Sequence, residues 1–351
     1  MQQIRIGEKL VGSGAPALIV AELSANHNQS LSLALETVAA AAESGADAIK
    51  LQTYTPDTIT LKSNSPLFRI EQGTRWDGRT LYDIYSEGQT PWEWHGDIFE
   101  YAKKLGMVAF SSPFDPTAIE FLEALNVPAF KIASFEIVDI PLIRAAARIG
   151  KPIILSTGIA ELVDIELALA ACHAEGNSNI IVLKCTSSYP AAYGELNLRT
   201  MLDISQRFDC LVGISDHTMT NTAAVASIAL GGCMIERHIV LDREAGGLDA
   251  GFSTNPAEFA SLVEEVRNAE SALGEVTYEL TPSSSASRKF ARSLFVVEDV
   301  RAGDTVTKAN VRSIRPSDGM PPSNFTAILG KRFVHDLAAG TPLMLEHIAD
   351  N

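Results

Sequence analysis

The residues most able to do chemistry are charged groups placed inside otherwise apolar runs. Lys50, Lys131 and Lys184 each interrupt such a run, and an unpaired buried ammonium costs several kcal/mol or loses its proton. An anionic ligand meets that need, with donors from Ser134, Ser156 and Thr157 at the ends of neighbouring runs. Phosphate, or phosphate plus carboxylate, is the group such a set would hold. Two other readings stay open: pairing of the lysines with Glu22, Glu136 and Glu236, and a Schiff-base lysine. His217 and His238 close two successive runs, a placement that lets two imidazoles share a divalent ion with water and with Glu22 nearby. His27 is a further site residue or a loop organiser, and His95, His173, His335 and His347 read as surface or satisfied structural groups.

Holding these residues together requires elements whose ends converge. Short β-branched runs alternate with longer helical stretches at residues 17–22, 48–52, 107–111, 129–133, 152–156, 180–185, 211–215 and 233–239. Eight βα repeats predict an α/β fold, a closed TIM (β/α)8 barrel, whose active site lies at the C-terminal ends of the strands. Polar residues collect at those ends. Helices are expected over residues 31–44, 161–175 and 256–273, with Gly45 and Gly176 as stops for the first two. One connection, residues 53–101, is much longer than the others and holds Trp76, Trp92 and Trp94. Long loops on this rim form lids or substrate walls, or the aromatics simply cover the rim. Near Thr281 the pattern breaks into Pro-Ser-Ser-Ser-Ala-Ser, which divides the chain into a catalytic domain, residues 1–280, and a linker plus small β-rich module, residues 281–351. Strand-like runs there are residues 293–297 and 342–345, and so small a domain has little core of its own.

Composition removes some classes. At 351 residues the chain is long enough for one barrel plus a module, and 46% apolar against 20% charged residues describes a folded protein rather than a disordered one. A net charge of -15 excludes the basic footprint of a nucleic-acid binder. No run has the length and apolarity of a membrane span or export signal. The four cysteines (Cys172, Cys185, Cys210, Cys233) lack paired spacing and read as reduced, buried thiols, which predicts a cytoplasmic enzyme.

Five segments carry a resemblance: Ala21-Glu22-Leu23-Ser24-Ala25-Asn26-His27-Asn28, Lys50-Leu51-Gln52-Thr53, Lys131-Ile132-Ala133-Ser134, Leu155-Ser156-Thr157-Gly158 and Ser215-Asp216-His217-Thr218. They resemble the sialic acid synthase family over nearly the whole chain. Gln52-Thr53-Tyr54-Thr55-Pro56-Asp57-Thr58, Trp76-Asp77-Gly78-Arg79-Thr80-Leu81-Tyr82 and Thr90-Pro91-Trp92-Glu93-Trp94-His95 are similar to its pseudaminic acid synthase branch. The resemblance implies a barrel followed by an antifreeze-protein-like (SAF) domain. It also implies a transferase that condenses phosphoenolpyruvate with the open-chain aldehyde of 2,4-diacetamido-2,4,6-trideoxy-L-altrose.

Carried over residue by residue, Glu22 matches the catalytic carboxylate. Lys50, Ser112, Lys131, Ser134, Ser156, Ser187 and Ser215 match phosphoenolpyruvate positions, and Gln52, Tyr189, Asp249 and Arg315 the sugar side. His217 and His238 match ligands of manganese, with Mg²⁺ or Co²⁺ as alternatives. Position 187 departs from the sialic acid enzymes, which carry Asn there. Arg315 falls in the small domain, so a domain-exchanged homodimer is implied. A 6-deoxy sugar suits apolar rim residues, which the tryptophan-bearing connection is expected to supply. The competing readings are an N-acetylneuraminate or legionaminate synthase, a Schiff-base aldolase, and a sugar-binding protein without catalysis.

Overall fold

A computed structural model describes residues 2–71, 73 and 76–349, so the outer ends of the two expected domains, residues 1 and 350–351, lie outside the described residues. The chain divides between Gly274 and Glu275 into two compact units. That break follows directly on the helix Pro256–Leu273, whose start is fixed by a capping box between Asn255 and Glu258.

The first unit opens with a hairpin, β1 (Gln3–Ile6) and β2 (Lys9–Gly12). Its inward residues Ile4, Ile6 and Val11 are buried in one core with Leu18, Val108 and Val127. The barrel strands follow: β3 (Leu18–Glu22), β4 (Ala48–Thr53), β5 (Val108–Pro113), β6 (Phe130–Ile132), β7 (Ile153–Ser156), β8 (Ile180–Cys185), β9 (Leu211–Ser215) and β10 (Met234–His238). All pair in parallel, and β10 closes on β3, so the expected (β/α)8 barrel is present. The helices Leu31–Glu43 and Leu162–Ala174 stop just before Gly45 and Gly176, which adopt φ of +89° and +77°.

Period-two alternation decides which residues reach the interior. On β4 it sends Lys50 and Gln52 inward and leaves Thr53 outside, where Thr53 bonds His95 and Ser111. On β8 it corrects an expectation. Cys185 takes the interior position beside Ser215, its register partner, and the adjacent Lys184 therefore faces out, donating to the Cys185 carbonyl. Two lysines, not three, enter the barrel. The same rule turns Arg237 on β10 outward, where it is fully buried against Asp216 and bonds Asn221 and the Thr220 carbonyl.

The long connection between β4 and β5 contains the helices Leu81–Gly88 and His95–Lys104, joined through a 3₁₀ turn at Trp92–Trp94. Among the described residues no helix is long and apolar enough to cross a membrane.

The second unit packs its own small core, with Leu294, Val296, Val311, Phe333 and Leu343 among its buried members. Its strands are β11 (Ser293–Val296) and β12 (Val311–Ile314), which pair antiparallel. The strand expected at residues 342–345 reduces to a single bridge between Pro342 and Phe295. Hydrogen bonds from Val296 to Thr341 and from Leu343 to Leu294 flank that bridge, and the chain then turns into a 3₁₀ helix at Leu345–His347.

Candidate active site

Charged side chains converge at the C-terminal mouth of the barrel. Glu22 ends β3, directly opposite Lys50 on β4 and His238 on β10. Lys50 contacts Glu22 at 2.8 Å and Glu236 at 3.7 Å, and it donates to Ser112 at 3.2 Å. Lys131 on β6 reaches across to both oxygens of Glu236 at 2.9 and 3.0 Å. All four charges are nearly inaccessible to solvent. Lys50 and Lys131 are thus paired with Glu22 and Glu236, and among the described residues Glu136 forms an ion pair with neither.

These pairings set the proton affinities. Burial pushes the Glu22 carboxyl above its ordinary range, with Lys50 opposing and Glu236 adding to the rise. Burial would likewise raise Glu236, but Lys131 and Lys50 outweigh it and hold that carboxylate at about 2. Lys50 is pulled down by burial and carried above its ordinary value by Glu22 and Glu236. Lys131 stays below its ordinary value because burial, aided by Lys50, exceeds the attraction of Glu236. Glu136 lies just past β6. Burial first, then Asp139, raise its carboxyl to about 7, and its Oε2 has no hydrogen-bond partner.

Hydroxyls ring this centre. Ser215 donates to Glu236 at 3.3 Å, and the Gly158 N–H donates to Ser134 at 3.1 Å. A Cβ at Gly158 would lie 2.0 Å from the Ser187 hydroxyl and 2.6 Å from that of Ser134, so only glycine lets the two approach this turn. Ser156 Oγ is buried with no hydrogen-bond partner. On the other side Gln52 donates to Glu22 at 2.9 Å and to Ser24 at 3.3 Å, and Ser24 in turn donates to Asp249. The sugar-side candidates Gln52 and Asp249 are thereby linked to Glu22. Arg315 belongs to the second unit, where it is exposed just past β12.

The two histidines lie with ring centres 5.4 Å apart. His217 donates from Nδ1 to the Thr186 carbonyl at 3.1 Å, which leaves Nε2 as its free lone pair. His238 Nδ1 is buried without a partner, and burial followed by His217 and Lys50 pushes its pKa well down, keeping it neutral. Burial opposes a charge on His217, but Cys185 and the Thr186 carbonyl outweigh it and raise that pKa, so an ion here would have to displace the His217 proton. With that proton gone, the two imidazoles offer nitrogens that fit a divalent ion completed by water and substrate oxygens. Among the described residues no cluster of three or more His, Cys, Asp or Glu is arranged to hold one. Tyr189 packs 4.4 Å from His217, and Phe252 lies 4.8 Å from Tyr189 and 5.0 Å from His238.

Two residues of the site escaped sequence reasoning. Cys185, read as an inert thiol, sits 3.9 Å from His217 Nδ1. Burial pushes this thiol up, yet His217, Ser134 and Lys131 outweigh it and bring it down to about 7. Phe252 carried no signal beyond its place after Asp249.

The fold and this constellation can be compared with known proteins. Residues 37–278 match the NeuB family. The chain belongs to the NeuB family. Residues 291–349 match the SAF domain, so a NeuB barrel followed by a SAF domain describes the molecule. Among NeuB relatives, the pseudaminic acid synthase of Helicobacter pylori is 45% identical over 334 residues, 95% of this chain and 98% of that protein. The pseudaminic acid synthase of Campylobacter jejuni serotype O:23/36 is 43% identical over 325 residues, 93% of this chain and 94% of that protein. The crystal structure of N-acetylneuraminic acid synthetase from Leptospira borgpetersenii in complex with citrate superposes with a TM-score of 0.72 at 29% identity, covering 82% of this chain and 95% of that one.

Proposed function

We propose that this protein condenses phosphoenolpyruvate with 2,4-diacetamido-2,4,6-trideoxy-L-altrose and water, giving pseudaminic acid and phosphate. The observation that carries the reading is the mouth of the barrel, where two buried lysines, a carboxyl of raised pKa and two adjacent histidines converge. Identity of 45% and 43% to the two synthases supports the choice of sugar.

Lys50 and Lys131 hold the phosphate and carboxylate of phosphoenolpyruvate, aided by Ser112, Ser134, Ser156, Ser187 and Ser215. Glu22 and Glu236 balance the two lysines, so an entering anion adds uncompensated negative charge. That charge raises the Glu22 pKa further and favours its protonated form. The methylene carbon of phosphoenolpyruvate then bonds to the aldehyde carbon while Glu22 gives its proton to the aldehyde oxygen. Water adds to the former enol carbon and returns a proton to Glu22, and the carbon–oxygen bond to phosphate breaks. Gln52, Tyr189 and Asp249 orient the sugar, which makes the step one of positioning. His217 and His238 would hold the divalent ion, Mn²⁺ with Mg²⁺ or Co²⁺ as alternatives. Bound there, the ion supplies Lewis-acid polarisation of the aldehyde oxygen.

The reading extends to a cytoplasmic homodimer in which the small domain of one chain brings Arg315 to the sugar side of the other chain's barrel. Four free, buried cysteines support the reducing compartment. The family resemblance supports the exchange.

Phosphate release from phosphoenolpyruvate, measured against a panel of acetamido sugars with and without a chelator, tests the proposal. The trideoxy altrose sugar is expected to give the highest kcat/KM, with release abolished by chelation and restored by Mn²⁺. Faster turnover of N-acetylmannosamine or of the legionaminic acid precursor overturns the branch, and full activity under chelation overturns the metal.

A further inference from the structure

In the long β4–β5 connection, Trp92 and Trp94 have ring partners that lie outside the lysine–carboxylate centre. Trp92 packs on Phe121 of the helix Pro116–Ala124 with ring centres 4.7 Å apart, and Trp94 packs edge-on against His27. The aromatic cluster that borders the site is built from Tyr54, Tyr85 and Phe114. Tyr54 follows β4, Tyr85 lies on the helix Leu81–Gly88, and Phe114 follows β5. Tyr54 stands edge-to-face with both neighbours, at 5.6 Å from Tyr85 and 5.1 Å from Phe114. Tyr54 is buried, while Tyr85 and Phe114 are only half-buried and keep part of their apolar surface open at the rim.

Three observations place this wall beside the polar groups of the mouth. Tyr54 comes two residues after Gln52, which bonds Glu22 and Ser24. Burial, then the charges of Asp249 and Glu22, raise the Tyr54 hydroxyl above its ordinary range, and the charge of Glu136 acts likewise on Tyr85. Gly88 ends the helix that carries Tyr85, and a Cβ there would lie 2.9 Å from the Tyr54 hydroxyl, 3.1 Å from Leu248 and 3.4 Å from Ala25. The last two adjoin Asp249 and Ser24. The missing side chain at position 88 thus seats the helix directly on the loops that supply the sugar-side residues.

A surface that sets polar groups beside partly open aromatic rings suits a ligand that is hydroxylated at one end and apolar at the other. Phosphoenolpyruvate, a small polyanion, has no such apolar end. We propose that Tyr54, Tyr85 and Phe114 form the subsite that accepts the C6 methyl group of the substrate sugar and disfavours the hydroxymethyl group of its 6-hydroxy counterpart. The inference rests on the condensation reading above and adds the residues that set sugar choice.

The test compares kcat/KM for 2,4-diacetamido-2,4,6-trideoxy-L-altrose and for the same sugar bearing a 6-hydroxyl, in the intact enzyme and in Tyr85→Ser, Phe114→Ser and Tyr85→Phe. A pocket contact worth one methyl group or one added hydroxyl discriminates by about 10- to 200-fold. The intact enzyme should favour the deoxy sugar within that range, each serine variant should shrink the preference by about tenfold or more, and Tyr85→Phe should keep it. A preference left unchanged in both serine variants overturns the proposal, as does an intact enzyme that treats the two sugars alike. If the intact enzyme condenses neither sugar, the condensation reading is what has failed. Calorimetric Kd values for the same two sugars then read the wall by itself, and an equal Kd ratio in the intact and Tyr85→Ser proteins overturns it.

Discussion

Two pairs of histidines lie near the same rim and have opposite surroundings. His27 and His95 clasp the long connection to the barrel. His27 meets Thr90 at 3.2 Å and takes the Gln29 N–H on its other nitrogen, while His95 meets Thr53 at 2.8 Å and the Pro91 carbonyl at 3.2 Å. Both nitrogens of each ring are used, and burial brings both pKa values down to about 4. His217 has one nitrogen satisfied by a carbonyl and His238 has a buried Nδ1 with no partner. A buried polar atom left unpaired costs about 1–3 kcal/mol. Such a cost persists where a ligand removes it. The difference separates histidines whose nitrogens are all used by the fold from the pair proposed to hold an ion, although residue type is the same in all four.

Substitution should sharpen that separation. His238→Gln is expected to lower phosphate release on the order of 10³-fold, from the loss of several kcal/mol of transition-state stabilisation, with little change in unfolding free energy. Comparable release by the variant would erase the distinction. His95→Ala should do the reverse, costing about 3 kcal/mol in denaturant unfolding through the lost ring and the unpaired hydroxyls, while kcat stays within about threefold.

A buried carboxyl at the mouth extends the contrast to pH. Glu136 titrates at about 7 against a reference of 4.5, so its contribution to stability is fully present below pH 4.5 and is lost as pH rises through 7. Glu136→Gln removes that loss. The variant should match the parent near pH 4 and exceed it by at most about 3 kcal/mol above pH 7 in urea unfolding. The clasp histidines run the other way: with folded pKa values of about 4 against 6.5, the stability they confer is present above pH 6.5 and disappears as pH falls through 4. An equal gain for Glu136→Gln at both pH extremes would contradict the assignment.

How much of this could be read from the chain alone depended on whether a local pattern was enough. The eight barrel strands were legible because each is a short β-branched run, and strand ends are where Glu22, Lys50, Lys131, His217 and His238 stand. The β1–β2 hairpin was not anticipated, although Ile4 and Ile6 alternate with Gln3 and Arg5, because two four-residue strands fall below the length at which alternation stands out. Lys184 and Cys185 show a sharper limit. They are neighbours, so one must face in and the other out, and composition favoured the lysine where the register chose the cysteine. The Asp216–Arg237 pair was hidden for the opposite reason, since it links two strands on the outside of the barrel, 21 residues apart in sequence. The pairing of Lys50 and Lys131 with Glu22 and Glu236 stood beside an anion-binding and a Schiff-base reading, and only distances could show it.

Glu22 is the group proposed to move the proton, in a site proposed to hold phosphoenolpyruvate. Glu22→Gln keeps the side chain's shape and its contact with Gln52 while removing the titrating group. Calorimetry and phosphate release measured on the same protein should show phosphoenolpyruvate affinity held within a few-fold and turnover reduced on the order of 10² to 10⁴-fold. Near-normal turnover in Glu22→Gln would contradict the account.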